Sequence, residues 1–246
     1  MTKGIAVLGS TGSIGAQTLE VARFLGLRVH ALAAGENVDL LFTQTREFLP
    51  EFVSVAFAPA ADRLHARLNS DAGLLRALDG RTIEVGYGDA GLRKAAAGTD
   101  AETTVAAVSG AAGLPAVLAA IRAKKRVALA NKESLVMAGR LVTSGAKERG
   151  VDLIPVDSEH CAIFQCLAGS ARGDVRRLVL TASGGPFRDR PVAELAGITP
   201  EQAAAHPVWN MGKKISIDSA TMMNKGLEVI EASWLFGVGR EHIDVL

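Results

Sequence analysis

Aromatic residues are scarce in this chain: 4% of its 246 residues, with one Tyr and two Trp. That removes the stacking platforms on which single-stranded nucleic-acid readers depend. Charge of one sign is missing too, because 27 Lys and Arg face 26 Asp and Glu. A near-neutral balance argues against a nucleic-acid partner, which favours a clustered basic excess. Cysteine is nearly absent. Cys161 and Cys166 form neither a disulfide framework nor a zinc spacing, so a reducing cytoplasm is the expected location. No secretory leader is visible, since Met1-Thr2-Lys3-Gly4 runs straight into an apolar strand and a glycine turn. The longest uncharged stretch, Thr103 to Ile121, is interrupted by Gly110, Gly113 and Pro115. It reads as strand, turn and helix rather than a membrane span.

What is present is alternation. Short β-like runs occur at Ile5–Leu8, Arg28–Ala33, Phe52–Phe57, Thr82–Val85, Thr104–Val108, Val127–Ala130 and Val151–Val156, with helical periodicity in most gaps. Ile14, Thr18, Val21, Ala22 and Leu25 recur at three- and four-residue steps and predict one apolar stripe on a first helix. Pro115 to Lys125 is rich in Ala and Leu and carries its cations in the last turn, as a helix dipole prefers. Strand–helix alternation predicts an α/β fold, a doubly wound and mostly parallel Rossmann-type sheet. After Val156 the pattern changes. Leu178–Thr181 and Lys214–Ile217 read as strands between Gly/Pro-rich segments, and Ala220 to Leu235 as a helix. The expected division is a dinucleotide-binding domain over 1–150 and an incomplete α+β catalytic domain over 151–246.

Gly9, Gly12 and Gly15 follow the first strand and open the first helix. Glycines there permit a tight turn and bring backbone N–H groups close to a pyrophosphate at the helix N-terminus. The spacing G-x-x-G-x-x-G departs from the commoner G-x-G-x-x-G, but the strand–turn–helix context supports dinucleotide binding. Glu36 lies about 20 residues further on, where an acid can grip a ribose 2′-hydroxyl. Read alone it favours NAD, or it simply faces solvent.

Asp157 and Glu159 end the run Val151–Val156. On an extended chain they face the same way, with Cα atoms roughly 6.6 Å apart at about 3.3 Å per residue. Oxygen ligands suit Mg²⁺ or Mn²⁺, although an acidic strand end in water is the usual fate of such a pair. Asn224, Glu228 and Glu231, spaced i, i+4, i+7, share one helix face with Lys225 nearby. They form either a third source of ligands or a solvated polar face. Gly226 inside that helix costs roughly 1 kcal/mol against alanine, which close approach of another group would explain. Ala182-Ser183-Gly184-Gly185-Pro186 and Asp218-Ser219 are anion-ready turns or plain caps. Trp209, in the loop His206 to Gly212, suits a lid over a ligand or a side chain pinned on its own domain.

The segments LGSTGSIG, LANKESLV, PVDSEH, SGGPF, HPVWNMG and KISIDSATMMNKGLEVIEA occur in this order. Together they resemble the 1-deoxy-D-xylulose 5-phosphate reductoisomerase family. The resemblance implies NADPH- and metal-dependent rearrangement of 1-deoxy-D-xylulose 5-phosphate and its reduction to 2-C-methyl-D-erythritol 4-phosphate, in non-mevalonate isoprenoid synthesis. It implies Asp157, Glu159 and Glu228 as ligands of Mg²⁺ or Mn²⁺, with Co²⁺ a further candidate. Those three and Lys132 become the catalytic set. Ser158, Asn131, Lys132, Glu159, Asn224, Lys225 and Glu228 become contacts for a small phosphorylated sugar. Ser183, His206, Ser219, Asn224 and Lys225 would surround its phosphate. Thr11, Gly12, Ser13, Ile14, Gly35, Asn37, Asn131, Glu133 and Gly212 become cofactor contacts. His206 to Gly212 becomes the lid, and His160 receives only a supporting role.

Glu36 stands where some relatives carry Lys and would repel a 2′-phosphate, against the NADPH that the rest of the turn implies. Family members are longer, so the chain reads as an N-terminal portion of an enzyme expected to be a cytoplasmic homodimer without nucleic-acid or membrane partners. An unpaired sheet edge is expected near Ile215. Two other readings stay open. One is a different two-domain dehydrogenase, acting on aspartate semialdehyde or homoserine. The other is a truncated, non-catalytic dinucleotide-binding fragment.

Overall fold

A computed structural model describes residues 4–170, 172–205 and 212–246. The chain divides into two compact units, Met1–Val156 and Asp157–Leu246.

The first unit alternates strand and helix: β1 (Gly4–Leu8), α1 (Ser13–Leu25), β2 (Arg28–Ala33), α2 (Val38–Phe48), β3 (Phe52–Val55), α3 (Ala58–Ser70), α4 (Ala72–Leu78), β4 (Glu84–Tyr87), α5 (Gly88–Ala97), β5 (Thr103–Ala106), α6 (Leu114–Arg122), β6 (Arg126–Leu129), α7 (Lys132–Arg149) and β7 (Leu153–Pro155). The strands form one seven-stranded sheet in the order β4-β3-β2-β1-β5-β6-β7, parallel throughout. Every residue of β1 and β3 is buried, as expected where helices cover both faces of a parallel sheet. This is the α/β architecture that the alternation predicts. The order reverses between β1 and β5, and a crevice beyond the strand ends at such a switch point is where α/β sheets bind ligands. Because β7 pairs with β6, the first unit runs on to Val156.

Helix α1 corrects the expected stripe. Gly15, Leu19 and Ala22 are its buried residues, whereas Ile14, Val21 and Leu25 are exposed. The tight turn sets the rotation: a Cβ on Gly15 would lie 2.2 Å from the Gly9 carbonyl oxygen, so this position must face the strand end.

The second unit contains α8 (Ser158–Cys166), β8 (Leu178–Leu180), α9 (Pro200–Ala204), α10 (Lys213–Ala220), α11 (Met223–Phe236) and β9 (Ile243–Val245). Strands β8 and β9 pair in parallel. Leu178, Leu180, Ala232 and Ile243 form its small core, with Ile163, Leu167, Val229 and Phe236 packed against it.

Residues Lys214–Ile217 are helical, not a strand, and no sheet edge exists at Ile215. The Ile-Ser-Ile alternation mimics a β pattern. The i, i+4 pair Lys214–Asp218 at 2.6 Å and the bond from Ser216 Oγ to the Gly212 carbonyl (3.1 Å) are helix contacts that alternation counting ignores. A left-handed Met222 (φ 59°) then separates α10 from α11. Among the described residues no helix is long and apolar enough to cross a membrane.

Candidate functional site

In the first unit the glycine turn lies at the carboxyl end of β1. Gly9 has φ +81°, and a Cβ there would meet the Ala107 carbonyl oxygen at 2.4 Å, so only glycine fits. Gly9 and Ser10 both donate N–H to the Ala33 carbonyl (2.8 and 2.9 Å), and Gln44 Nε2 donates to the Ser10 carbonyl (2.8 Å). These bonds fix the loop from beneath. Gly12, Ser13 and Ile14 are exposed and Thr11 half-buried. Gly12 caps α1 without any side-chain bond, so the first-turn N–H groups face outward without a side-chain acceptor at the cap. At the end of the neighbouring β2, Gly35, Glu36 and Asn37 are exposed, and Asn37 Oδ1 caps α2 through the Leu40 N–H (3.1 Å).

Asn131 follows β6 and behaves differently from expectation. It is 1% exposed. Its amide nitrogen donates to the carbonyls of Val108 (2.7 Å) and Gly110 (2.9 Å) and to Glu133 Oε2 (3.0 Å). Its oxygen accepts from the Ser134 N–H (3.1 Å) and the Ser134 hydroxyl. The side chain is therefore an internal staple between the strand-end loops and the N-cap of α7. These internal bonds occupy the side-chain amide that the resemblance assigns to cofactor and substrate. A Cβ on Gly113 would lie 2.8 Å from this amide, so Gly113 is glycine to admit it. Lys132, the first residue of α7, is buried.

In the second unit the acidic pair is not extended. Asp157 (φ −56°, ψ 133°) is the N-cap of α8, and Ser158 and Glu159 occupy its first turn. A cap followed by a helical turn brings the two carboxylates together where a strand would separate them. Early α11 supplies the third: one oxygen each from Asp157, Glu159 and Glu228 lie within 4.8 Å of one another. Lys225 Nζ donates to Glu159 Oε1 (2.9 Å), to the Thr181 carbonyl (2.6 Å) and to Glu228 Oε2. Asn224 Nδ2 donates to Glu228 Oε1 at 2.6 Å. Burial alone would raise the Glu159 pKa, but the bonds from Ser158 and Lys225 outweigh it and hold the carboxyl below its ordinary range. Burial likewise opposes charge on Lys225, and Glu228 and Glu159 outweigh it and push the ammonium pKa up.

The two anion-ready turns meet. Gly184 and Gly185 are both left-handed (φ +78° and +70°), and a Cβ on Gly185 would stand 2.6 Å from the Ser219 carbonyl oxygen. The Gly185 N–H donates to Ser183 Oγ at 3.1 Å. Ser219 lies in the last turn of α10 rather than before a helix, which corrects its expected setting. Gly226 is corrected too: it is exposed and a Cβ there would meet nothing within 4 Å. Gly212 is the exposed N-cap of α10. His206 and Trp209 lie outside the described residues.

Two residues carry more than the sequence revealed. His160 and Glu231 are fully buried, and with Asp157 they form a second group whose ligand-type atoms lie within 4.8 Å of one another. The i, i+3 spacing of Asp157 and His160 was the available signal, but it has meaning only if that segment is helical.

Comparison with known proteins agrees with this geometry. Residues 5–139 match the model of 1-deoxy-D-xylulose 5-phosphate reductoisomerase, and residues 153–236 match its C-terminal domain. The chain is 51% identical over 246 residues to the 1-deoxy-D-xylulose 5-phosphate reductoisomerase of Ruminiclostridium cellulolyticum, covering 100% of this chain and 62% of that one. It is 54% identical over 251 residues to that of Symbiobacterium thermophilum, with the same coverage. A crystal structure of DOX-P reductoisomerase in complex with NADPH, fosmidomycin and magnesium superposes with a TM-score of 0.90 at 42% identity, covering 99% of this chain and 60% of that one. The Zymomonas mobilis enzyme in complex with NADPH gives 0.86 at 46% identity, covering 100% and 61%. The chain thus spans about 62% of the length of the curated relatives it matches. With the parallel sheet, the glycine turn and the three converging carboxylates in place, the chain belongs to the 1-deoxy-D-xylulose 5-phosphate reductoisomerase family.

Proposed function

We infer that this chain carries the dinucleotide- and cation-binding parts of an NADPH- and divalent-metal-dependent reductoisomerase. Its substrate is 1-deoxy-D-xylulose 5-phosphate and its product 2-C-methyl-D-erythritol 4-phosphate, in non-mevalonate isoprenoid synthesis. The observation that carries this reading is the convergence of Asp157, Glu159 and Glu228 oxygens within 4.8 Å in a chain of this family. The donor set fits Mg²⁺ or Mn²⁺, because three carboxylates are hard oxygen ligands with no thiolate among them. Relatives solved with NADPH and with magnesium support both partners.

When bound, the cation supplies Lewis acidity at neighbouring substrate oxygens and the nicotinamide supplies hydride. The chain's own residues do the rest. Asp157, Glu159 and Glu228 hold the ion. Ser158, in the first turn of α8, offers its hydroxyl to the substrate beside Glu159. Ser183, Ser219, Asn224 and Lys225, with His206, take the phosphate, and the raised Lys225 pKa keeps that ammonium charged. Thr11, Gly12, Ser13 and Ile14 present backbone N–H groups to the dinucleotide phosphates at the start of α1. Gly35 and Asn37 would contact the dinucleotide from the end of β2, and Asn131, Glu133 and Gly212 would complete the cofactor set, Asn131 by shaping the loops it staples. Lys132 supplies positive charge or handles a proton. The same reading carries a cytoplasmic, homodimeric full-length enzyme.

The test is a Mn²⁺ titration of the protein with and without NADPH, followed by NADPH absorbance after adding 1-deoxy-D-xylulose 5-phosphate. Saturable Mn²⁺ binding that Asp157→Asn and Glu159→Gln weaken is the expected result. NADPH binding without Mn²⁺ binding would overturn it and leave only a dinucleotide-binding module.

A further inference from the structure

We propose that His160 and Glu231 are positioning residues: they hold the Asp157 carboxylate in the orientation that aims it at Glu159 and Glu228. This rests on the cation reading above and assigns a role to two side chains outside it.

His160 is 0% exposed and sits three residues after Asp157, in the first turns of α8. Its Nε2 lies 2.9 Å from the Glu228 main-chain oxygen on α11. A carbonyl only accepts, so Nε2 carries the hydrogen of that bond. The ring also stacks on Phe236, with centroids 6.3 Å apart and planes 6° from parallel. A ring held at one nitrogen and along one face cannot swing, so its Nδ1 edge is fixed. That edge faces Glu231 Oε2 at 3.7 Å and Asp157 Oδ2 at 3.9 Å, and Nδ1 itself makes no hydrogen bond among the described residues.

Asp157 is thus shared. One group joins it to His160 and Glu231, the other to Glu159 and Glu228, each with its ligand-type atoms within 4.8 Å. The second group contains two fully buried side chains, so its geometry is set by packing and not by solvent. Glu231 Oε2 and Asp157 Oδ2 both lie on the Nδ1 edge of His160, so the fully buried Glu231 side chain fills the space beside the Asp157 carboxylate and limits its rotation. His160 ties α8 to α11 at Glu228, itself one of the three cation ligands, and its fixed Nδ1 edge packs against both carboxylates. A buried carboxylate is expensive to keep. If packing were the only need, an apolar side chain would serve beside Ile163, Leu167 and Val229.

The experiment compares Glu231→Gln and His160→Gln with wild type in the intact protein. Mn²⁺ affinity is read by electron paramagnetic resonance, NADPH affinity by fluorescence, and folding by circular dichroism with chelator present. The expected result is a Mn²⁺ Kd raised about 10–100-fold, the range typical for groups that orient metal ligands, with NADPH Kd unchanged. The double variant is no worse than the worse single, because the two residues act through one carboxylate. Excess Mn²⁺ restores turnover wherever the full enzyme turns over, so KM for the metal moves and kcat does not. A folded Glu231→Gln protein with wild-type Mn²⁺ affinity overturns the proposal. Asp157→Asn and Glu159→Gln separate the two levels. If neither weakens Mn²⁺, the cation reading fails; if both do and Glu231→Gln does not, only the positioning role fails. Should His160→Gln lose its fold, the near-isosteric Glu231→Gln decides, supported by Phe236→Leu, which frees the ring and is expected to weaken Mn²⁺ in the same direction.

Discussion

Replacing Lys225 with methionine probes the charge balance of the second unit. The ammonium is 2.9 Å from Glu159 Oε1 and 2.6 Å from the Thr181 carbonyl, and it contacts Glu228 Oε2 as well. Lys225 is 6% exposed and Glu228 1%. At an effective dielectric of about 20, one unit-charge pair at 2.9 Å attracts by about 6 kcal/mol before desolvation is counted. Desolvation of the lysine offsets part of this. The net loss is about 3–5 kcal/mol, the range for breaking a buried pair and leaving one charge uncompensated. Methionine keeps the apolar stem, so the deficit is one of charge and not of packing. At about 2–4 °C per kcal/mol for a chain of this size, the melting temperature in chelator falls by about 6–20 °C. Added Mn²⁺ supplies positive charge to the same carboxylates. At one hundred times its Kd it returns about 2.7 kcal/mol, and its stabilising shift exceeds that in wild type, where the ammonium competes for the same oxygens. Scanning calorimetry of both proteins, with chelator and then with Mn²⁺, measures all four values. An unchanged melting temperature in chelator refutes the buried-charge reasoning. A drop that Mn²⁺ leaves unrestored refutes the view that these carboxylates are arranged for a cation.

Other outcomes follow from the same contacts. Gly226→Ala, in open space on α11, raises stability by roughly 0.5–1 kcal/mol in urea melts and leaves NADPH affinity unchanged. Asn131→Ala removes an N-cap and strands the Val108 and Gly110 carbonyls, so it costs about 2 kcal/mol or more and weakens NADPH binding measured by fluorescence titration. If Glu36 faces the 2′-phosphate as its spacing from the glycine turn suggests, Glu36→Lys raises the ratio of NADPH to NADH affinity; an unchanged ratio places Glu36 away from the 2′-phosphate. In chelator, stability varies with pH at both ends. Glu159, held below its ordinary 4.5, contributes stability present above that value and lost as pH falls through its folded pKa. Lys225, pushed above 10.5, contributes stability present below that value and lost as pH rises through its folded pKa. Urea midpoints across the pH range check both limbs.

The readable parts of this chain share a physical property: they are decided by neighbours within a few residues. Apolar runs of four to six residues between helical patterns predict the parallel sheet, and β2 spans the same residues, Arg28–Ala33, in both readings. The misreadings occur where local pattern and packing part company. In α1 the apolar residues Ile14, Val21 and Leu25 face solvent because Gly15 must pack under the turn. In α10 two isoleucines two apart look like a strand, but among the described residues no strand pairs there and the Lys214–Asp218 pair closes a helical turn. In α8 the Asp-Ser-Glu-His stretch could equally have been extended, and its helical form decides where both carboxylates and His160 point.

By itself, the sequence determined the α/β class, the glycine turn after the first strand, and the acidic residue types of the candidate cation site. These rest on periodicity, on glycine's conformational freedom and on the hardness of oxygen donors, all properties of short segments. Only the tertiary structure decided that Lys225 bridges to Glu159 across 66 positions, that His160 reaches the main chain at Glu228 across 68, and that Asn131 is an internal staple. Such roles depend on which charged and polar groups are buried together. In a low-dielectric interior each must be matched by a partner, and the chain has to fold before distant residues can become that partner.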